Sequence, residues 1–315
     1  MSPPASPTNP APTARFERVG QALQRDALSV LLTGQRNPDD PAVAPFLAFA
    51  QQNSLDLSGL WVAWDGRRLA ASTLIVPGVG KTAMLFLSPV GSHGRVSLSG
   101  QLIAWALSEV DAVKIRLIQT LLEQGQNLQQ RAFEAGGFRF LAELAYMQRP
   151  GKVFAPLPPV TLDGEILTPV HWSESARPVF SQAISESYEG TQDCPGLLGL
   201  REMDDIIAGH MATGRFDPAH WTVWRDGLGR PAGVLLLAES TGNAGFELVY
   251  LGVSPHARGQ GLSKVLMRYA LDLTHKHGRG DLFLAVDDRN TPALRLYQGL
   301  GFRVSIRKTA LIYTP

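Results

Sequence analysis

The chain of 315 residues has one cysteine, Cys194, and almost no excess charge, with 29 Lys and Arg against 28 Asp and Glu. A single cysteine cannot form an internal disulfide, and no Cys or His residues have the spacing of a zinc site, so we expect no metal and a cytoplasmic protein. The net charge of +1 favours neither nucleic acid nor an anionic membrane as a partner. The longest apolar runs, such as 83–87 and 233–238, are far shorter than the roughly 20 residues that span a bilayer. Any anionic ligand must therefore be held by a local site.

Two proline-rich segments divide the sequence. Residues 1–14 contain five of the 22 prolines, and they lack the basic start and the apolar core of a signal peptide, so we expect a disordered tail. A second such segment predicts a linker at 151–162. The 44% of hydrophobic residues can fill two cores, which predicts domains at 15–150 and 163–315.

Periodicity and turn residues predict the same order of elements on each side of the linker: two helices, three strands, a helix, a strand, a helix and a strand. In the first half the predicted helices are 15–35, 41–52, 96–110 and 128–135, and the strands are 60–64, 69–76, 83–87, 113–121 and 138–147. In the second half the helices are 173–187, 197–213, 262–273 and 291–299, and the strands are 221–225, 232–238, 246–253, 281–286 and 302–313.

Two short matches support a duplication. Ser88 and Ser254, each followed by proline, are 166 residues apart, and Phe133 and Tyr297, each five residues before a phenylalanine, are 164 apart. Two anchors at nearly one period predict two copies of one α+β fold, each a mixed, largely antiparallel sheet flanked by helices.

A possible anion site follows the apolar strand at 246–253. Gly259 and Gly261 lie in a short loop that opens onto an amphipathic helix. Free N–H groups at a helix start, with glycines that allow close approach, suit a phosphate, and Arg258 adds a positive charge. A dinucleotide fingerprint is disfavoured because Lys264 occupies its third glycine position.

Residues 258–263 resemble motif A of the GNAT superfamily of N-acetyltransferases, and Asn290, Tyr297 and the Gly301-Phe302 pair resemble its motif B. The resemblance covers about 246–302 and implies acetyl-CoA as cosubstrate and direct transfer of its acetyl group to a primary amine. It implies that the pantetheine bonds to the strand, that the pyrophosphate lies on the loop amides, and that Asn290 also contacts the cofactor. The implied cofactor residues of strand and loop are Leu251, Gly252, Val253, Arg258, Gly259, Gln260, Gly261, Leu262 and Ser263.

Two side chains are candidates for the chemistry. Tyr297 stands where the family commonly has the tyrosine that protonates the departing thiolate. Glu247 is the lone carboxylate of its strand and is the candidate base, acting through a water. Simpler interpretations stay open: Tyr297 as a core aromatic, Glu247 as a solvated acid, and Asn290 as a helix cap.

The first half lacks these features. Residues 92–95 of the first half align with residues 258–261 of the second, and Arg95 stands where the second half has a glycine. Phe133 likewise stands where the second half has the tyrosine. Phenylalanine has no proton to donate, so we expect a degenerate copy without transfer activity, in which residual cofactor binding stays open. One active half in a tandem pair is similar in architecture to the mycothiol synthase family.

The sequence limits the acceptor only to an amine of a small molecule or a peptide. Tyr188, Glu189 and Asp193 lie in the segment that walls the acceptor site in this family and could receive a cationic amine, although a solvated acidic loop is the alternative. A non-catalytic acyl-CoA sensor is the alternative function, and a histone-tail or ribosomal-protein acetyltransferase is a third hypothesis. The sequence does not predict the oligomeric state.

Overall fold

The computed structural model describes residues 14–152, 157, 159–278 and 280–315. The predicted tail up to residue 13, and positions 153–156 and 158 of the predicted linker, lie outside the described residues. The helices are α1 Gln24–Thr33, α2 Val43–Gln52, α3 His93–Ser108, α4 Asn127–Ala135, α5 Arg177–Tyr188, α6 Met203–Met211, α7 Leu262–Lys276 and α8 Thr291–Gly299. The strands are β1 Arg15–Arg18, β2 Leu60–Asp65, β3 Arg68–Gly78, β4 Thr82–Leu87, β5 Leu117–Glu123, β6 Arg139–Pro150, β7 Thr161–Leu162, β8 Glu165–Ile166, β9 Thr168–His171, β10 Trp221–Arg225, β11 Pro231–Glu239, β12 Gly245–Val253, β13 Asp281–Asp287 and β14 Arg303–Tyr313.

The predicted element order is present in both halves, with added strands before the first helix of each, and β7 and β8 pair with each other in a separate small sheet. A four-residue strand precedes the first helix of each half: β1 in the first and β9 in the second. The predicted helix at 15–35 is therefore wrong over its first residues, because Phe16 and its neighbours pair antiparallel with β2 and Trp64 Nε1 donates to Glu17 at 2.7 Å. The helix predicted at 197–213 is shorter and begins at Met203, and the strand predicted from 113 begins at Leu117.

The chain forms two compact units. The first contains Met1–Gly78, Ala83–Phe140 and Leu311–Pro315, and the second contains Val79–Thr82 and Leu141–Ala310. Most of β6 thus belongs to the second unit, whereas the end of β14 belongs to the first. The predicted domain limits at 150 and 163 stay a prediction.

In the first unit the strand order is β1-β2-β3-β4-β5. Helices α1 and α2 pack on β2 and β3 around Leu28, Leu60 and Leu74. A second core holds residues of α3 and α4, including Ile103 and Phe133, together with strand residues of this unit.

In the second unit, which contains residues 303–310 of β14, the strand order is β14-β6-β13-β12-β11-β10-β9. Alternate residues of β11 point to opposite faces of this sheet. Val234 and Leu236 face a core that includes α5, whereas Leu235 and Leu237 face the core of α7 and α8. Helices thus cover both faces of the sheet, as the predicted α+β class requires.

Candidate active site

The second unit contains a gap between two parallel strands. β12 and β13 pair only at three positions, from Gly245 with Asp281 to Glu247 with Phe283. Beyond this point a bulge in β12 changes its register with β11, since Leu236 pairs with Tyr250 and Leu237 with Leu248. A bulge bends its strand, and the strand ends diverge around a cavity of about 460 Å³.

Most of the predicted cofactor residues line this one cavity: Leu251, Gly252, Val253, Arg258, Gly259, Gly261, Leu262, Ser263 and Asn290, together with Tyr297. One predicted cofactor residue, Gln260, and one predicted catalytic residue, Glu247, are absent from its described lining. The Gln260 side chain hydrogen-bonds to Asp163, through its Oε1 at 3.1 Å and its Nε2 at 3.3 Å. Glu247 lies at the closed end of the gap, in the last pair between β12 and β13.

The loop before α7 has the backbone that its two glycines allow. Gly259 and Gly261 have φ angles of +81° and +78°, a left-handed conformation that L side chains rarely adopt. Helix α7 begins at Leu262, so its first N–H groups have no partner within the helix. These amides and the positive end of the helix dipole suit an anion, and the predicted binding of a phosphate there stays a prediction.

The Arg258 side chain connects this loop to two other elements. Its Nε donates to the Val253 carbonyl at the end of β12 (3.1 Å), and its Nη2 donates to the Ser187 carbonyl in the last turn of α5 (3.0 Å). The guanidinium therefore fixes the rim of the cavity, and its direct contact with a phosphate stays a prediction.

Tyr297 lies on α8, with its ring among the core residues and one side on the cavity. It is 7% exposed and packs against Phe302, with ring centroids 5.7 Å apart. Burial raises the pKa of the phenol, as does the nearby Asp193 charge to a smaller extent, so the hydroxyl stays protonated at neutral pH. The core and catalytic interpretations of this residue are compatible.

Asn290 caps a helix and also lines the cavity. Its side-chain oxygen accepts from the Ala293 N–H at 3.3 Å, and its side chain hydrogen-bonds to Asp193. The capping alternative is therefore correct, and it leaves cofactor contact as an open prediction.

Asp193, which lines the cavity, and the buried Asp287 form an acidic pair. Burial is the largest cause that raises the pKa of Asp193, although part of the residue remains exposed. Cys194 follows with a φ of +44°, and burial first, then the two carboxylates, raises the pKa of its thiol to about 12. The thiolate is thus disfavoured, which agrees with a cysteine that is not a nucleophile.

The other predicted acceptor residues lie beside the cavity, outside its described lining. Tyr188 is half-buried, with a ring contact to Tyr250 at 5.8 Å, and burial raises its pKa to about 12. Glu189 is exposed directly after α5.

A polar group next to Tyr250 was not predicted from the sequence. The Tyr250 hydroxyl and Ser187 Oγ are 2.8 Å apart, and both residues line the cavity. His210 stacks on the Tyr250 ring at 5.5 Å, and burial together with the Arg201 charge lowers its pKa to about 4. Gly252 could have indicated this group, because a glycine inside an apolar strand often means that another part of the chain lies close to the strand backbone. A Cβ atom at this position would lie 2.4 Å from Ser187 Oγ.

Among the described residues, no three His, Cys, Asp or Glu side chains are grouped so that they could hold a metal ion. None of the described helices has the length and hydropathy of a membrane span.

Solved structures share this fold. A GCN5-related N-acetyltransferase from Sphaerobacter thermophilus superposes with a TM-score of 0.61 at 17% identity, over 96% of this chain and 95% of that one. A tandem GNAT protein from the clavulanic acid biosynthesis pathway gives a TM-score of 0.50 at 14% identity, over 96% and 98% of the two chains. The predicted tandem GNAT fold is therefore confirmed.

Residues 182–302 match the acetyltransferase (GNAT) family. This match over part of the chain confirms the predicted resemblance to the GNAT superfamily.

Curated relatives point the same way. A mycothiol acetyltransferase of Acidothermus cellulolyticus is 30% identical over 191 residues, which is 53% of each chain. One from Clavibacter sepedonicus is 38% identical over 108 residues, or 34% of each chain. The streptothricin acetyltransferase of Streptomyces lavendulae is 37% identical over 71 residues, 22% of this chain and 38% of that one. The matches span between about a third and about a half of the relatives' lengths.

Proposed function

We propose that the chain is an acetyl-CoA-dependent N-acetyltransferase that transfers the acetyl group directly to the amine of a small molecule or peptide. The observation that carries this proposal is the cavity between β12 and β13. It combines an open strand end, the start of α7 and the Tyr297 hydroxyl in one space of about 460 Å³.

The donor fits the residues present. The strand end at Leu251 and Val253 offers backbone groups to the pantetheine amides, and the N–H groups of the Gly259–Gly261 loop offer donors to the pyrophosphate. Acetyl-CoA would supply an activated acetyl group to this site.

Tyr297 is the proposed proton donor to the departing thiolate. Its raised pKa keeps the phenol protonated at neutral pH, so the group enters the reaction in the form that can donate a proton. Glu247 is the proposed base. Its place at the closed end of the gap agrees with action through a water rather than by direct contact.

The acceptor would enter at the rim formed by Asp193 and its neighbours. Carboxylates there would attract an ammonium group, which must lose a proton before it can attack a carbonyl. The names of the relatives suggest two test acceptors: mycothiol without its acetyl group, and streptothricin.

Two measurements test the proposal on the full chain. Calorimetry should detect acetyl-CoA binding, which Arg258→Glu should abolish. Arg295→Glu, the same charge change at an exposed α8 position outside the described lining, should leave binding intact. Release of CoA thiol should then be followed with both acceptors and with peptides that have a free amino terminus.

The outcomes separate the hypotheses. Amine-dependent thiol release supports the transferase. Binding without release for any amine would favour the acyl-CoA sensor, and no binding would refute both.

A further inference from the structure

The first unit contains a cavity of about 1030 Å³. Its walls are residues of α1, α2, β3, β4, β5 and α4, the start of α3, and the loops after α2, before α3 and before α4. Most of them are apolar, including Leu32, Phe46, Phe86, Leu121 and Leu128. Ligand sites in proteins commonly have about 300–1,000 Å³ and a mainly apolar lining. This cavity is thus large enough for a whole small molecule.

The cavity occupies the place in the first copy that the candidate active site occupies in the second. Leu87 and Phe133 line it, and they correspond to Val253 and Tyr297 at the repeat offsets of 166 and 164 residues. Its lining is nevertheless unsuited to the same ligand.

Gln129 closes the strand end that would have to bind pantetheine. Its Nε2 donates to the carbonyls of Leu87 (2.9 Å) and Ser88 (3.1 Å), and its Oε1 accepts from the Val90 N–H (2.9 Å). The corresponding residue of the second copy is Ala293, whose methyl group cannot make these bonds.

The phosphate site is also lost. Arg95, which replaces a glycine of the second copy, turns its guanidinium to the Ala70 carbonyl. The charged or titratable side chains in the described lining are Arg131 and His93, and no carboxylate is among them. Arg131 is exposed and keeps a positive charge at the edge of an apolar space.

We propose that this cavity binds an amphiphile with an apolar chain or ring and one anionic head group, in the size class of a medium-chain carboxylate. The apolar tail would lie against Phe46, Leu121 and Leu128, because removing apolar surface from water drives such binding. The head group would pair with Arg131.

Decanoate and 1-decanol are the probes, titrated separately into the full chain by calorimetry. They share a ten-carbon chain and differ in the head group. We expect decanoate to bind more tightly than decanol, and we expect acetyl-CoA not to displace it.

Two variants with matched controls locate the site. Leu121→Trp should fill the cavity and weaken decanoate at least tenfold, whereas Leu98→Trp, at a half-buried α3 position outside the described lining, should have no such effect. Arg131→Gln should weaken decanoate about fivefold and leave decanol unchanged. Arg67→Gln, in the exposed turn between β2 and β3, should change neither.

Several results would overturn the proposal: no decanoate binding, unchanged affinity in Leu121→Trp, or displacement by acetyl-CoA, which would place the probe in the second unit. Arg131 is exposed, so its variant should fold even if Leu121→Trp does not. Equal affinity of wild type and Arg131→Gln for decanoate would refute the anionic head group.

Discussion

The carboxylates of Asp193 and Asp287 hold two segments together by accepting hydrogen bonds from backbone N–H groups. Asp193 Oδ1 accepts the Asp287 N–H at 2.9 Å, and Asp287 Oδ2 accepts the Cys194 N–H at 3.3 Å. Asp287 Oδ1 also accepts the Arg289 N–H at 2.9 Å. The loop after α5 is thereby attached to the end of β13, on the side of the cavity where the acceptor would enter.

The two carboxylates should respond differently to the same substitution. Asp287→Asn leaves one oxygen for two backbone donors, so we expect a loss of about 1–3 kcal/mol in the free energy of unfolding. Asp193→Asn keeps an oxygen that can accept the Asp287 N–H, so we expect a change below about 1 kcal/mol. Urea denaturation at pH 7 measures both. Equal losses would contradict the separate roles.

Tyr297→Phe should lower turnover about 10²-fold or more at saturating acetyl-CoA and acceptor, because a positioned proton donor contributes about 10²–10⁴-fold. Acetyl-CoA affinity should change little, since the ring still fills the space. Thiol release and calorimetry give the two quantities. The control is Tyr146→Phe, a half-buried tyrosine outside the described lining. Unchanged turnover in Tyr297→Phe would leave this residue a purely structural role.

Gly261→Ala should weaken acetyl-CoA binding about tenfold. A side chain at its φ of +78° costs about 1–2 kcal/mol and disturbs the start of α7, where the phosphates would bind. Gly278→Ala is the matched control, since it has a φ of +61° just beyond the other end of the same helix. Both variants should lose similar stability in thermal melts. A similar loss of acetyl-CoA affinity in both would argue against the anion site.

His210 should make the second unit sensitive to acid. An unfolded chain protonates this histidine near pH 6.5, whereas the folded chain resists until about pH 4. The unfolded state therefore binds more protons in this window, and stability should fall as the pH decreases from about 7 towards 4. At about 1.4 kcal/mol per pKa unit, the loss is roughly 3 kcal/mol at most.

His210→Phe tests this effect, because it keeps a ring on Tyr250 and cannot be protonated. Urea denaturation at several pH values should give a flatter profile for this variant than for the wild type. His275→Phe, at an exposed position on α7, should retain the wild-type slope. A wild-type slope in His210→Phe would exclude His210 as its source.

The predictable parts of the site are those encoded by consecutive residues. The loop at 258–263 and the helix that Asn290 caps and that contains Tyr297 were predicted because a glycine loop and a cap act locally. Ser187, His210 and Asp287 were missed because each acts through a partner far away in sequence, such as Tyr250 or Cys194.

The missed strands have a related explanation. β1 and β9 are four residues long and occupy the outer edge of the sheet in their units. β9 contains Pro169, which a central strand would exclude, and its order comes from pairing with β10. Strands this short have too few residues to show the two-residue alternation of apolar and polar side chains, so only the tertiary structure reveals them.

The division of β6 and β14 between the units has a consequence for synthesis. Residues 311–315, which complete the first unit, are translated after the whole of the second. During translation the first unit therefore lacks its final strand segment until the end of synthesis. Residues 141–150 of the second unit are likewise unpaired at first, because their partner strand β13 is translated more than 130 residues later. Cutting the gene at the proline-rich segment would separate each unit from part of its own sheet, so the protein should be expressed as one chain.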